Sequence, residues 1–278
     1  MSLFDSVFEP PSLTSPTYHL TQELANRLRI ERFCDRVSKA LHFASENSGD
    51  GSTIHQTSIT NLLNDDLFQI EMDLANRNAS GTLIRELGCN IWLLPAILIV
   101  HLRCAQLHLR LYALFSSTSS ENYIQSLLSL YDACKGLLSS VLDPSQDVLS
   151  YCPNYVFQMT LASGFTLLKL ITSPVMQHLE GISAKTTFNS AIVAVRRISV
   201  SNNDLPGRLA DVLAQLKARN NSSNTSGQWQ VLDLKVRSRM SMSVTYDSLW
   251  HWRKGFEVQQ STASTGRQIF LRLPIQHG

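Results

Sequence analysis

Two histidines and a cysteine lie close together in the sequence HLRCAQLH, at His101, Cys104 and His108. A helix turns about 100° per residue, so these spacings place all three side chains within about 60° on one face. Imidazole nitrogen and thiolate sulfur are ligands that zinc prefers, and this face would therefore suit a metal ion. However, the sequence supplies no nearby fourth Asp, Glu or Cys ligand, and the same side of the helix carries Leu111 and Phe115. We predict that the three residues pack in the core and bind no metal.

An acidic cluster in NDDLFQIEMD is the second candidate for chemistry, because carboxylates on helices hold magnesium in all-helical enzymes of isoprenoid metabolism. The aspartate-rich spacing D-D-x-x-D is interrupted by Gln69, and Phe68 occupies the serine position of the alternative Asn/Ser/Glu ligand pattern. We therefore predict a solvated helix face and no metal site. The four carboxylates concerned are Asp65, Asp66, Glu71 and Asp73.

Motifs for nucleophilic or phosphate chemistry are missing from the sequence. It contains no G-x-S-x-G, no H-E-x-x-H, no G-x-x-x-x-G-K and no G-x-G-x-x-G after a strand. Ser163 and Gly164 lie within an apolar segment, where a small pair favours the close approach of two helices. The sequence predicts neither a catalytic residue nor a cofactor-binding residue, and we expect no enzyme.

The stretch KVRSRMSMSVTYDSLWHWRKGF, residues 235–256, combines cations with tryptophans, a combination that also occurs where proteins stack on nucleic acid. Yet Val236, Met240 and Val244 follow one another in steps of four, as on the apolar face of a helix. We predict a helix that packs or contacts a partner, and no direct contact with DNA. The polar and aromatic residues weighed are Arg237, Arg239, Arg253, Lys254, Trp250 and Trp252.

Apolar residues recur at helical spacing along most of the chain, and no set of strands alternates apolar and polar residues. The fold predicted is all-α, a multi-helix globular domain with disordered N- and C-terminal tails. Asn203 or Asp204 is suited to cap a helix with Pro206 in its first turn, and Pro95 should kink or divide another. The predicted helical segments are 20–45, 57–78, 82–117, 121–141, 155–171, 188–200, 203–220 and 231–256.

Composition agrees with a packed helical protein: 44% of the 278 residues are hydrophobic and 17% are charged. The net charge of +2 gives no overall signal for a nucleic-acid binder. Five widely spaced cysteines without a C-x-x-C pair indicate buried thiols in a reducing compartment. The longest charge-free apolar run, IWLLPAILIV, is too short to span a bilayer, and the N-terminus has no secretory pattern. We expect an intracellular chain with no membrane contact.

Several stretches together resemble one family. They are CAQLHLRLYALF (104–115), YCPNYVFQMTLASGFTLLKL (151–170), FNSAIVAVRRISVSNNDLPGRLADVLAQL (188–216) and LKVRSRMSMSVTYDSLWHWRKGF (234–256). This series resembles the regulatory (middle homology) domain of fungal binuclear-zinc-cluster transcription factors. It is most similar to the subgroup of the leucine-biosynthesis regulator and the regulator of secreted proteases. The most specific signature residues are Asn203, Asp204, Gly207, Arg208, Arg237, Arg239, Met240 and Trp250.

The resemblance implies a helical nuclear protein that regulates transcription by RNA polymerase II. Its partners would be other transcription factors or coregulators, a second copy of the chain or a related subunit, and a small metabolite is a further possible effector. The signature residues would then serve structure or partner contact, with no role in catalysis.

The chain departs from the family at the DNA-binding part, since no C-x2-C-x6-C cluster with a basic flank is present. No zinc ligand or base-contacting residue can be transferred to it, and zinc is expected only with a missing N-terminal cluster. We expect three parts: an unassigned tail and helix at 1–50, the regulatory domain at 51–256 and a polar tail at 257–278. The chain is then a truncated family member, or alternatively an orphan helical module that binds an effector or partner and not DNA.

Overall fold

The computed structural model describes residues 16–46, 52–78, 96–116, 122–145, 148–173, 181–222, 232 and 234–255. These ranges are mostly helical and contain no β-strand, so the prediction of an all-α, multi-helix fold is confirmed. The α-helices are α1 (Pro16–Glu46), α2 (Ser52–Asn78), α3 (Ala96–Arg110), α4 (Tyr123–Val141), α5 (Asn154–Thr172), α6 (Gly181–Arg197), α7 (Leu205–Ser222) and α8 (243–255). Short 3-10 helices cover Leu111–Phe115, Val148–Tyr151 and Met240–Met242.

Helix α3 lies at the centre of the fold because two opposite faces of it are buried. Val100 and Leu107 belong to the larger apolar cluster, which α4, α5, α6 and α7 complete. Leu98, Leu102 and Leu109 belong to a second cluster with α1 and α2. Successive residues in each set are four or seven apart, which keeps them on a single face of the helix. The single helix α3 therefore forms a wall shared by both parts of the core.

Helix α5 is the most completely buried helix of the larger cluster. Every residue from 159 to 170 is buried, because α5 packs against α4, α6 and α7 and also meets α3. A helix that is apolar on nearly all sides is expected in such a position. Lys169 is the one charged side chain in this buried stretch.

The predicted apolar stripes of α1 and α2 are only partly correct. Helical spacing predicts one buried stripe in α1, of which Phe33, Val37 and Leu41 are buried, whereas Leu24 and Leu28 are exposed. In α2 the spacing predicts a stripe of Ile59, Leu62, Leu63, Phe68, Ile70 and Leu74, of which Leu62 and Phe68 are exposed. Helical spacing identifies a shared face, but the width of the covered face depends on which neighbours pack against it.

The start of α7 confirms the predicted cap and assigns it to Asp204. The Asp204 carboxylate accepts hydrogen bonds from the Gly207 N–H at 3.0 Å and from the Ser199 hydroxyl at 2.7 Å. Its other oxygen accepts the N–H groups of Val200 and Ser201. These hydrogen bonds hold the pKa of the Asp204 carboxyl well below its usual range.

The predicted helix at 231–256 is wrong in its first half. Helix α8 covers only 243–255, and Met240 adopts a left-handed backbone with a φ of 51°. The physical reason is local: the N–H groups of Lys235 and Val236 donate to a side chain, and the Arg239 N–H donates to the Ser243 hydroxyl. These side-chain acceptors replace the carbonyl groups that a continuous helix would offer.

Among the described residues, one helical stretch, Ala96–Phe115, is long and apolar enough to cross a membrane by length and composition. Of its most apolar window, 67% is buried against other helices. Core helices meet the same criterion, so this stretch is weak ground for a membrane span. Pro95 and the predicted disordered tails before residue 16 and after residue 255 lie outside the described residues, whereas residues 16–18, expected in the tail, are helical.

Gly164 of α5 permits the close helix contact that the sequence predicts. A Cβ atom at this position would lie 3.0 Å from the Leu213 Cδ1 of α7 and 3.5 Å from the Ala191 Cβ of α6. Both neighbours are fully buried, so neither has open space into which it can move.

We predict that Gly164→Val lowers the free energy of unfolding by about 1–3 kcal/mol, because the added methyl groups overpack the α5–α6–α7 contact. Urea unfolding followed by circular dichroism measures the effect. Gly136→Val is the matched control, since a Cβ there would meet only the Arg103 side chain, at 3.6 Å or more. Equal effects of the two substitutions would show that the contact at Gly164 is not tight.

Candidate functional site

A buried ion pair connects α5 with α8. The Lys169 Nζ lies 2.8 Å from the Asp247 Oδ2, and the Asp247 side chain is completely inaccessible to solvent. Removing two charges from water costs several kcal/mol per ion unless geometry and further hydrogen bonds compensate for it. Such a pair fixes α8 in position, because sliding α8 along α5 would leave both charges buried without a partner.

The same aspartate also organises the segment that precedes α8. Its Oδ1 accepts the N–H of Lys235 at 2.8 Å and the N–H of Val236 at 3.2 Å. One turn further along α8, the His251 Nε2 lies 3.7 Å from the Asp247 Oδ2. Burial lowers the pKa of His251, against the opposing effect of the nearby Asp247 carboxylate. A single carboxylate thus holds residues 235 and 236 against α8.

On the solvent side of α8 lies a surface of aromatic rings with cations over them. The Lys235 Nζ lies 5.5 Å and the Lys254 Nζ 5.9 Å from the centre of the Trp250 ring. The Arg239 guanidinium carbon lies 5.3 Å from the centre of the Tyr246 ring. Trp250 is 40% exposed and Tyr246 is 48% exposed. We call this set of five residues the cation–aromatic surface.

The opposite side of α8 packs into the core. Val244 is fully buried, and Leu249 and Trp252 pack against the larger apolar cluster. The Trp252 Nε1 also donates a hydrogen bond to the Gln215 Oε1 of α7 at 3.3 Å. Residues 246, 250 and 254 follow one another in steps of four and therefore share the outer face. The amphipathic character expected for this helix is present, with its aromatic residues divided between the two faces.

The structure divides the eight signature residues into two groups. The first group, Asn203, Asp204, Gly207 and Arg208, forms the turn and first helical turn of α7. There Asn203 adopts a φ of 62°, and Asp204 caps the helix, so this group has a structural explanation. The second group, Arg237, Arg239, Met240 and Trp250, is exposed in or beside α8.

Met240 requires a separate correction. The sequence predicts it in an apolar stripe with Val236 and Val244, but it is 39% exposed and begins a 3-10 helix before α8. Its left-handed backbone turns the chain between residues 239 and 243, which breaks the four-residue repeat on which the prediction depended.

Sequence reasoning missed the Lys169–Asp247 pair and the role of Tyr246. The one available signal was Lys169 itself, because a single charge in a long apolar helix needs a buried partner. Nothing in the sequence identified Asp247 as that partner. For Tyr246 the available signal was its position four residues before Trp250, which places the two rings on one helix face.

The His–Cys–His face of α3 is packed in the core as predicted. The His108 Nε2 lies 3.0 Å from the Ser38 hydroxyl of α1, and burial lowers the pKa of His108 to about 4. Burial also lowers the pKa of His101 and raises the pKa of the Cys104 thiol well above its usual value. Among the described residues, no group of three or more His, Cys, Asp or Glu side chains lies close enough to hold a metal ion.

Burial raises the pKa of the thiols near this face, which favours their protonated form at neutral pH. The Cys34 Sγ lies 3.4 Å from the Tyr155 hydroxyl, and burial raises the pKa of Cys34 to about 11. Burial likewise raises the pKa of Cys134 and of Cys152. Since the thiolate is the nucleophile in cysteine chemistry, burial disfavours the reactive form of these residues.

The acidic cluster of α2 joins helices together. Asp66 forms an ion pair with Arg36, Asp73 forms one with Arg29 at 2.6 Å, and Glu71 accepts a hydrogen bond from Gln106. The ion pairs join α2 to α1, and the Glu71 contact joins α2 to α3, so these carboxylates have structural partners.

A groove of about 510 Å³ lies beside these ion pairs, between α1 and α2. All of its lining residues belong to α1 and α2. Two of its arginines already bind carboxylates, so the groove has little free charge to offer a ligand. Its lining consists of Ala25, Leu28, Arg29, Arg32, Arg36, Asp66 and Ile70.

The chain matches no family model, and neither a curated protein nor a solved structure is significantly similar to it. Membership of the zinc-cluster regulator family therefore stays a hypothesis that rests on the sequence stretches named above. The cation–aromatic surface is the strongest candidate functional site on geometric grounds.

We predict that Lys169→Met lowers the free energy of unfolding by about 3–5 kcal/mol, because Asp247 then carries a buried charge without a counter-ion. Lys169→Met combined with Asp247→Asn should recover part of this loss. The neutral amide oxygen can still accept the backbone N–H groups of Lys235 and Val236. Urea unfolding of the three proteins gives the comparison, and a double variant less stable than Lys169→Met alone would contradict the role of the pair.

We also predict that stability falls with acidification through His108. Its folded-state pKa of about 4 lies below the unfolded value of about 6.5, so the unfolded chain binds the proton first. The stability contribution is complete above about pH 6.5 and is lost as the pH falls towards 4, by roughly 3 kcal/mol at most. Urea unfolding from about pH 7 to about pH 4 should give a steeper loss for wild type than for His108→Gln. Parallel curves would rule out His108 as the source.

Proposed function

We propose that this chain is a regulatory module of transcription, the regulatory part of a fungal binuclear-zinc-cluster transcription factor. In this proposal it acts in the nucleus through contacts with other proteins, without catalysis and without reading DNA itself. The observation that carries the proposal is the outward position of the signature residues beside α8. Arg239 and Trp250 take part in the cation–aromatic surface and are not needed to fill the core.

The support comes from the way in which this surface is built. Exposed aromatic and arginine side chains are typical of the residues that dominate binding energy at protein interfaces. Here they lie on α8 or directly before it, and the Lys169–Asp247 pair fixes α8 against α5. A fixed surface loses less conformational entropy on binding than a mobile one, which favours recognition. The buried, protonated thiols and the structural carboxylates supply no comparable argument for an enzyme.

The alternative is an orphan helical module that binds an effector or partner outside transcription. The same surface would serve that role, so geometry alone gives no preference between them. The resemblance of the stretches at 188–216 and 234–256 to zinc-cluster regulators is what favours transcription.

A tethering experiment tests the proposal. The 278-residue chain is fused to an unrelated DNA-binding domain in a fungal cell, and transcription is measured from a reporter that carries the matching operator. We expect the fusion to change transcription, upwards or downwards, relative to the DNA-binding domain alone at equal protein level. We also expect a fluorescent version of the chain to accumulate in the nucleus.

Substitutions test whether the change in reporter transcription depends on the cation–aromatic surface. Arg239→Glu with Trp250→Ala should abolish the change in transcription, because the cation and the ring are both removed. Lys135→Glu with Lys185→Glu is the control, since these exposed lysines lie on α4 and α6. Reporter transcription equal to that of the DNA-binding domain alone would contradict the proposal and leave the orphan module as the better explanation.

A further inference from the structure

Within residues 234–255, the exposed charged side chains of the cation–aromatic surface and its neighbours are all positive. The sequence of residues 234–255 contains five lysines and arginines, and its only carboxylate is Asp247. That carboxylate is fully buried and bound to Lys169, so it neutralises none of the charge on the surface. A partner that binds here must therefore bring negative charge if the interface is to be electrostatically complementary.

Each of the two rings has at least one cation over it. Two ammonium groups lie near the Trp250 ring and a guanidinium lies near the Tyr246 ring, all within the range of cation–π attraction. A nucleic-acid base that stacked on a ring face covered by a cation would have to displace that cation. A carboxylate can instead bind a cation from the side while the cation stays over its ring. The arrangement favours carboxylates over stacked bases.

The surface also offers apolar area. Tyr246 and Trp250 are one helical turn apart on α8, and Met240 precedes them with its thioether side chain partly exposed. Lys254 lies one turn beyond Trp250, so cations and rings follow each other along about 12 Å of the helix. A ligand that carried only charge would leave this apolar area in contact with water.

We infer that the cation–aromatic surface binds an acidic amphipathic peptide segment of a partner protein, in which carboxylates alternate with large apolar side chains. The carboxylates contact Lys235, Arg239 and Lys254, and the apolar side chains cover Tyr246 and Met240. This inference rests on the proposed function only in taking the same surface as the binding site, and it names the chemistry of the partner.

Fluorescence anisotropy with defined probes tests the inference. The first probe is a labelled synthetic peptide that repeats aspartate, leucine, phenylalanine and glutamate, and the second has lysine at each acidic position. Single-stranded and duplex oligonucleotides of mixed sequence are the remaining probes. We expect the acidic peptide to bind more tightly than the others, with an affinity that falls as salt is added.

Charge reversal at the surface provides the decisive comparison. Lys235→Glu with Lys254→Glu should weaken binding of the acidic peptide by at least about tenfold, because attraction becomes repulsion. Lys135→Glu with Lys185→Glu makes the same change in net charge on α4 and α6 and should leave binding within about twofold. Thermal unfolding of both double variants verifies that they are folded.

Three results would overturn the inference: no binding of the acidic peptide, equal weakening by both double variants, or tighter binding of either oligonucleotide. The tethering experiment separates this failure from a failure of the proposed function. A chain that changes reporter transcription but ignores the acidic peptide contradicts only the partner chemistry. A chain that binds the peptide through this surface but leaves transcription unchanged contradicts only the role in transcription.

Discussion

The arrangement of the C-terminal part depends on one buried carboxylate, that of Asp247. It binds the ammonium group of Lys169 through one oxygen and two backbone N–H groups through the other. These contacts fix three separate pieces of chain relative to each other: α5, α8 and the non-helical residues that lead into α8. Because a buried charge without its partner is costly, the pair permits only one relative position of these elements. The exposed side of α8 owes its orientation to that constraint.

A second constraint acts through α3, whose two faces belong to two apolar clusters. The helices α1 and α2 reach the remaining core mainly through this helix. Hydrogen bonds at its edges, such as that between His108 and Ser38, fix the relative position of helices more narrowly than apolar packing alone does. His108 is therefore best understood as part of the contact between α3 and α1.

The helices could be predicted because apolar spacing reports directly on helical structure, and the cap at Asp204 could be predicted because its chemistry is local. The start of α8 could not, since the acceptors that interrupt the helix are the side chains of Ser243 and Asp247, on which apolar spacing does not report. The exposure of Leu24 and Phe68 was missed for a similar reason: a stripe in the sequence does not say how many helices will cover it. The single charge of Lys169 in an apolar helix indicated that it needs a buried partner, but only the fold identifies that partner as Asp247.

The hydrogen bonds that hold residues 235 and 236 come from their backbone and not from their side chains. Any residue other than proline can supply the same N–H group. The side chain at position 235 can therefore be exchanged, even for one of opposite charge, without removing the support of the segment. The backbone N–H of Lys235 thus supports the fold, while its side chain contributes to the cation–aromatic surface. The charge of this surface can therefore change without a change of fold.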